Sequence, residues 1–229
     1  EYKQKQAAYE SKFWWITKKG LLQIDELKMA DYVAKLGYAY IKVGQTGTRT
    51  LVHIDKYLVR EVNRQDMLTA IVQSVRKFFP EDAGKVWSKL VSQSGSALLN
   101  TLPTRTDVTF AKDTRDKAYY PFLNGIAVVT STGISLVEDF KDGYFWSSQV
   151  CQINLNLNST YAGDWSKFLE NIGDKANDGK RYDCLTTSIG YLLHNYQDNA
   201  GGRAIIVTED TPPSVNSNGR TGKSLIATS

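Results

Sequence analysis

The spacing of apolar residues divides the chain into two differently patterned stretches. Leu27, Met29, Ala30, Val33, Ala34 and Leu36 recur at the three- and four-residue intervals of one helix face. Asp25 is placed to cap that helix and Gly37 to stop it. A longer helix is expected over 65–79 from Met67, Leu68, Ile71, Val72, Val75 and Phe78, with Asn63 as its cap and Pro80 as its end. Segments 83–91 and 94–102 read as two more short helices, and 2–12 as a polar helix. Between them lie strand-like runs: 13–17, closing on the turn Lys18-Lys19-Gly20; 38–43 and 50–54, joined by the Gly-rich turn 44–47; and 57–62.

From Asp107 the punctuation changes to Asp, Gly and Asn turns. Strands are expected at 108–110, 125–130, 133–137 and 151–156, with the aromatic run 118–122 supplying core. Helices are expected at 163–172, carrying Trp165, Phe168 and Leu169, and from Asp178 to near Asn195 through Leu185, Ile189, Leu192 and Leu193. The β-branched run 203–208 has the composition of a strand buried on both faces of a parallel sheet. These elements predict an α/β protein in three parts. Residues 1–100 form a mostly helical module whose helix and two-stranded ribbon are winged-helix-like. Residues 101–200 form a mixed region, and 201–229 the first strand, loop and helix start of a P-loop core.

Composition narrows the function classes. No run of 18 apolar residues exists among the 229, which argues against a membrane span and a membrane partner. The opening Glu1-Tyr2-Lys3-Gln4 has no apolar leader region and no initiator Met. Both ends read as cut from a longer chain. Two cysteines without CxxC spacing and two histidines make neither a disulfide framework nor a zinc site, as expected in a reducing cytoplasm. Residues 1–120 hold 20 Lys and Arg against 13 Asp and Glu, whereas 121–229 hold 8 against 11. The basic part makes nucleic acid a candidate partner, with Lys18, Lys19, Lys42, Arg49, Lys56, Arg60 and Arg64, and further on Arg76 and Lys77, as phosphate contacts. A solvated basic surface is the competing reading. Phe13, Trp14 and Trp15 read either as a base-stacking platform or as core. His194 reads as a helix-end residue and His53 as a strand-surface residue.

The motif Gly219-Arg220-Thr221-Gly222-Lys223-Ser224 follows the 203–208 strand and precedes an apolar helix start. Phosphate binding needs several backbone N–H groups converging on oxygens. Glycines allow that curl, and the following helix N-terminus adds positive potential. In this arrangement Lys223 reaches the β- and γ-phosphates of ATP and Ser224 ligates Mg²⁺. The first glycine of the full pattern is replaced by Ser217, and the loop before the motif is long.

Asp113, with the run Tyr119-Tyr120-Pro121-Phe122-Leu123-Asn124-Gly125-Ile126-Ala127-Val128, resembles the "ffNG-v" signature of primase-helicases of phages, plasmids and large DNA viruses. Ile189-Gly190-Tyr191-Leu192-Leu193-His194, preceded by Phe168-Leu169, Arg181 and Leu185, resembles the "iGYlLh" helix before their ATPase strand. The similarity covers about 100–229 and is closest to the poxvirus-like, superfamily-3-type subgroup, an AAA+-related group in which the long loop also occurs. It implies an ATP- and Mg²⁺-dependent hexameric DNA helicase acting on single-stranded or forked DNA, in the cytoplasm of a bacterial host. The family's Walker B acids, sensor Asn and arginine finger have no match in this sequence. The chain by itself is therefore expected to be inactive, and no catalytic residue is assigned. The alternative is a DNA-binding or protein-docking adaptor with a degenerate P-loop, and a third reading is an AAA+ regulatory or defence ATPase.

Overall fold

The computed structural model describes residues 10–44, 47–92, 102–158, 163–196, 201 and 204–207. They form an α+β chain that divides into two units. One comprises Glu1–Ala111, Pro121–Gly125 and Glu138–Gln152; the other comprises Lys112–Tyr120, Ile126–Val137 and Ile153–Ser229.

The first unit opens with an antiparallel hairpin, β1 (Trp14–Ile16) and β2 (Leu22–Ile24). Gly20 turns it with a φ of 76°, a conformation available to glycine without Cβ strain. Helix α1 (Glu26–Lys35) follows, with the Asp25 carboxylate accepting from the Lys28 N–H. Gly37 ends it at φ 88°. The meander β3 (Tyr38–Val43), β4 (Thr48–Asp55) and β5 (Leu58–Glu61) leads to α2 (Arg64–Phe78) and α3 (Pro80–Ser92). Asn63 caps α2 through its own side chain. Pro80 both stops α2 and opens α3, where its missing N–H leaves no bond unmade.

The sheet of this unit has five strands, in the order β10-β5-β4-β3-β6. Its edges are two-residue parallel strands drawn from later in the chain: β6 (Thr104–Arg105) beside β3 and β10 (Phe145–Trp146) beside β5. Alternation along the strands buries both faces. Tyr38, Tyr40, Leu51 and Val62 meet Met29, Val33, Met67, Ile71, Val86 and Leu90 of the helices. On the opposite face, Ile41, Val52 and Val59 pack under Val108, Phe110, Tyr144 and Trp146.

The second unit contains most of the three-stranded sheet β7-β8-β9 (Lys117–Phe122, Gly125–Thr130, Gly133–Val137). It also holds the helices α4 (Asp164–Ile172) and α5 (Gly179–Leu193), the latter capped by Asp178. Neither helix has a fully buried residue among those described. Tyr191, Leu192 and Leu193 are exposed, as is Trp165.

Several expectations are corrected. The 38–54 ribbon is not a projecting wing. It is the middle of a five-stranded sheet covered on both faces. Segment 151–156 alternates like a strand but lacks a ladder partner: Cys151 alone bridges Phe122, and Ile153 is exposed. At 108–110 only Phe110 forms a bridge, to Tyr144. Residues 204–207 form no strand, and Ile206 is 81% exposed. An apolar run becomes a strand only beside another, and among the described residues none pairs with it. The helix expected at 2–12 (residues 2–9), the one at 94–102 (residues 94–101) and the boundary at 100 fall outside the described residues. So does the whole motif Gly219, Arg220, Thr221, Gly222, Lys223 and Ser224.

Candidate nucleic-acid interface

The seven basic candidates all lie in the first unit, but the fold does not bring them into one patch. Lys18 and Lys19 occupy the exposed β1–β2 turn. Lys42 and Arg49 are direct cross-strand partners near the β3–β4 turn. Lys56 sits in the β4–β5 turn at the opposite end of β4, at φ 52°. Six residues of strand, about 20 Å, separate it from the register of Arg49. Arg60 faces His53 across the β4–β5 ladder. Arg64 opens α2. None of the seven forms an ion pair with another described residue.

Their surroundings differ in ways that decide what each can do. Like charges directly opposite on a ladder repel, so the Lys42–Arg49 pair is a local cost unless an anion bridges it. The Arg49 guanidinium lies 3.8 Å above the Tyr40 ring and donates to the Leu102 carbonyl at 3.1 Å. This anchoring fixes its plane and leaves other N–H donors for a phosphate. Arg64 is half-buried, and its Nε and Nη2 are shut off from solvent with no hydrogen-bond partner among the described residues. It is poorly placed as a surface phosphate contact. His53 packs its ring 4.8 Å from Tyr38. Burial pushes the Tyr38 phenol above its ordinary value, the charge of Arg60 pulls it back, and that of Asp66 adds to the rise.

Arg60 has neighbours that sequence reading did not single out. Strand β10 pairs with β5 only through Phe145↔Leu58 and Trp146↔Val59. The chain then turns into a 3₁₀ segment, Ser147–Gln149, whose geometry is held by the Trp146 N–H donating to Gln149 Oε1 at 2.9 Å. Past the end of β10 a cleft of about 470 Å³ opens, lined by Arg60, Glu61, Trp146, Ser147 and Ser148. A two-residue strand has no periodicity to reveal it. The one available signal was an aromatic pair followed by two serines. A second cleft of about 270 Å³ lies at the start of α3, lined by Lys12, Phe78, Phe79, Pro80, Glu81 and Asp82.

The aromatic trio at the N-terminal hairpin divides. Phe13 and Trp14 are core, with ring centroids 4.9 Å apart, while Trp15 is half exposed. The stacking-platform reading thus keeps one ring of three.

In the second unit, Asp113 and Tyr120 from the first segment that carries the resemblance meet the C-terminal end of α5. The Tyr120 hydroxyl donates to the Leu193 carbonyl at 3.1 Å, and the Asp113 carboxylate accepts from the backbone N–H groups of Tyr119 and Asn195 at 3.0 and 2.8 Å. Asn124-Gly125 lies at the β7–β8 turn. His194 is the C-cap residue of α5, and its Nδ1 accepts from the Tyr196 N–H.

Cys151 and Cys184 are free and exposed. Among the described residues no His, Cys, Asp and Glu cluster could hold a metal ion, and no helix is long and apolar enough to cross a membrane. No protein-family model and no curated protein matches the chain.

Proposed function

We propose that this chain is the DNA-handling and nucleotide-binding region of an ATP-dependent, superfamily-3-type primase-helicase of a phage or mobile element. The observation that carries the reading is the junction built by Asp113 and Tyr120. The Asp113–Val128 and Ile189–His194 segments similar to that family lie about 60 residues apart in sequence, and two hydrogen bonds, Tyr120 to Leu193 and Asn195 to Asp113, tie the first to the end of the second. A chance likeness of two short motifs gives no reason for them to touch. In this reading the Gly219–Ser224 motif, which follows α5 in sequence, holds the phosphates of ATP, with Lys223 on the β- and γ-oxygens and Ser224 on Mg²⁺. The unpaired cations of the first unit contact the DNA backbone, and the whole enzyme works as a hexamer.

The test is single-stranded-DNA-stimulated ATP hydrolysis by the protein extended beyond Ser229, with Lys223→Ala as the comparison. Stimulated turnover lost in the variant supports the motor reading, since removing the P-loop lysine removes its contact with the transferred phosphoryl group. Absence of turnover in both proteins rejects it and leaves an adaptor whose DNA affinity resides in residues 1–120.

A further inference from the structure

We infer that the outer face of the β1–β2 hairpin binds single-stranded nucleic acid, with one base stacked on Trp15 and neighbouring phosphates on Lys18 and Lys19. The inference rests on the nucleic-acid part of the reading above and names a site for it. Register supplies the first argument. The hairpin pairs Trp14 with Ile24, Trp15 with Gln23 and Ile16 with Leu22, and neighbours along a strand point to opposite faces. Trp14, Leu22 and Ile24 pack in the core, so they mark the inner face. Trp15 and Gln23 stand on the outer face, and no third strand among the described residues joins the pair. Trp15 is 51% exposed there, and among the described residues no ring or cation packs on its indole. A large aromatic left open to water beside a well-packed core offers a face on which a base can stack.

The tip of the hairpin supplies the second argument. The Thr17 N–H donates to the Leu21 carbonyl and the Gly20 N–H to the Thr17 carbonyl, both at 2.9 Å, while the Thr17 hydroxyl accepts from the Leu21 N–H at 3.2 Å. These bonds lock a tight loop that glycine closes and that carries Lys18 and Lys19 at its apex. Both lysines are exposed, and neither forms an ion pair with a described residue. Residues 13–24 hold these two cations and no Asp or Glu, so the tip complements a polyanion. About 10 Å of strand separates Trp15 from Lys18, and the flexible lysine stem carries its ammonium to either face. The root of the hairpin is anchored: the Trp14 indole N–H donates to Asp82, and the Asp25 N–H to the Phe13 carbonyl at 2.8 Å. The platform is therefore held in place before a strand arrives, which lowers the ordering cost of binding.

Shape and charge order select among polyanionic partners. Two short strands present a face only about 10 Å wide and 10 Å long. That is far below the roughly 800 Å² per partner of a stable protein interface, but enough for one base and its flanking phosphates. A hairpin that enters a bilayer leads with apolar residues, whereas this one leads with two ammonium groups, which are costly to take below the headgroups. A duplex keeps its bases stacked on one another, so Trp15 needs an unpaired strand.

The test uses the full chain without ATP. Fluorescence anisotropy measures its affinity for fluorescein-labelled oligothymidylate and oligouridylate of about 20 nucleotides, for a duplex of the same length, and for vesicles of phosphatidylcholine and phosphatidylglycerol. The proteins are the wild type, Trp15→Ala, Trp15→Phe and the double variant Lys18→Gln/Lys19→Gln. All three positions are exposed, so the variants are expected to fold, which melting curves check; Trp15→Phe serves if Trp15→Ala does not. Trp15→Ala is expected to weaken single-strand binding about 5- to 100-fold and to leave the slope of log K against log salt unchanged, because stacking releases no counterion. Trp15→Phe keeps a ring and is expected to lose less. The double lysine variant is expected to lose affinity and about 1.4 from the slope, two phosphates at about 0.7 each. The tighter of the two oligonucleotides identifies the strand as DNA or RNA. Wild-type affinity in the tryptophan or the lysine variants, no single-strand binding at all, or duplex bound as tightly as single strand overturns the inference. So does Trp15-dependent binding to vesicles without binding to oligonucleotide, which assigns the hairpin to a membrane surface. Single-strand binding that survives both sets of variants places the DNA contact elsewhere in the chain, and ATP hydrolysis is scored separately, so the hairpin can fail while the motor reading stands, and the reverse.

Discussion

Removing the carboxylate of Asp82 should loosen the attachment of the N-terminal hairpin to α3. Asp82 sits in the first turn of α3, where negative charge is favoured by the helix dipole. Its Oδ2 accepts from Trp14 Nε1 at 2.9 Å and from Lys12 Nζ at 3.1 Å. Trp14 is 3% exposed and meets Phe79 edge-on. In Asp82→Ala the indole N–H is left buried without an acceptor, which costs about 1–3 kcal/mol. The lost ion pair adds about 0.2–1 kcal/mol. In a Trp14→Phe background the donor is already gone, so the same Asp82→Ala change should cost under about 1 kcal/mol. Urea unfolding followed by far-UV circular dichroism on the four proteins of this cycle gives the coupling directly. A coupling of at least about 1 kcal/mol is expected. Additivity within about 0.5 kcal/mol would refute the reasoning, because contacting residues that share a buried hydrogen bond should not be independent. The same carboxyl predicts a pH dependence. Burial pushes it up, but the hydrogen bonds from Trp14 and Lys12 and the charges of Lys12 and Lys85 outweigh that and hold it below the ordinary range. A depressed folded-state value gives stability that is fully present above about pH 4 and is lost as the pH falls through the folded value. Asp82→Asn should flatten that acid limb.

Other substitutions test the packing and the charge pattern. Leu90→Ala, at a fully buried position of α3, should cost about 2–5 kcal/mol in urea unfolding, whereas Leu27→Ala, 76% exposed on α1, should cost under about 0.5 kcal/mol. Gly37→Ala would place a Cβ 2.5 Å from the Ile54 carbonyl oxygen at a φ of 88°, so its melting temperature should fall well below that of Gly20→Ala. The latter has a similar φ but open space and should lose about 1–2 kcal/mol. Lys42→Glu should convert a repulsive cross-strand pair with Arg49 into an attractive one, raising stability by about 0.2–1 kcal/mol. If that pair touches a phosphate, the same change should lower oligonucleotide affinity in a salt titration.

The first unit was largely legible because its signals are local. Asp25, Gly37, Asn63 and Pro80 each act within one turn, and all four do what their chemistry requires in the structure. Hydrophobic spacing placed Met67, Leu68, Ile71, Val72 and Val75 in the core correctly. It failed at Leu27 and Ala34, which share the period of α1 but are exposed. The strands β6 and β10 were invisible because two residues carry no alternation; their partners, Tyr40–Ile41 and Leu58–Val59, select them from a distance. At 151–156 and 204–207 the reverse occurred: strand-like composition without a neighbour to pair with. The basic residues were visible as types, but their dispersal over the β1–β2 turn and both ends of β4 follows from register, which composition does not encode.

The late arrival of the edge strands matters during synthesis. The meander ends at Glu61, but the residues that cover the outer side of β5 begin at Phe145, 84 positions later. At translation rates of about 5–20 residues per second, that strand edge stays bare on the ribosome for roughly 4–17 s. An open edge with apolar faces on both sides is a template for pairing with other chains. Slower growth at reduced temperature prolongs the interval, while chaperones that hold nascent chains cover it. Truncations that stop before residue 145 never close it, so a version of the basic region ending near residue 111 should be markedly less soluble than one that runs to 152.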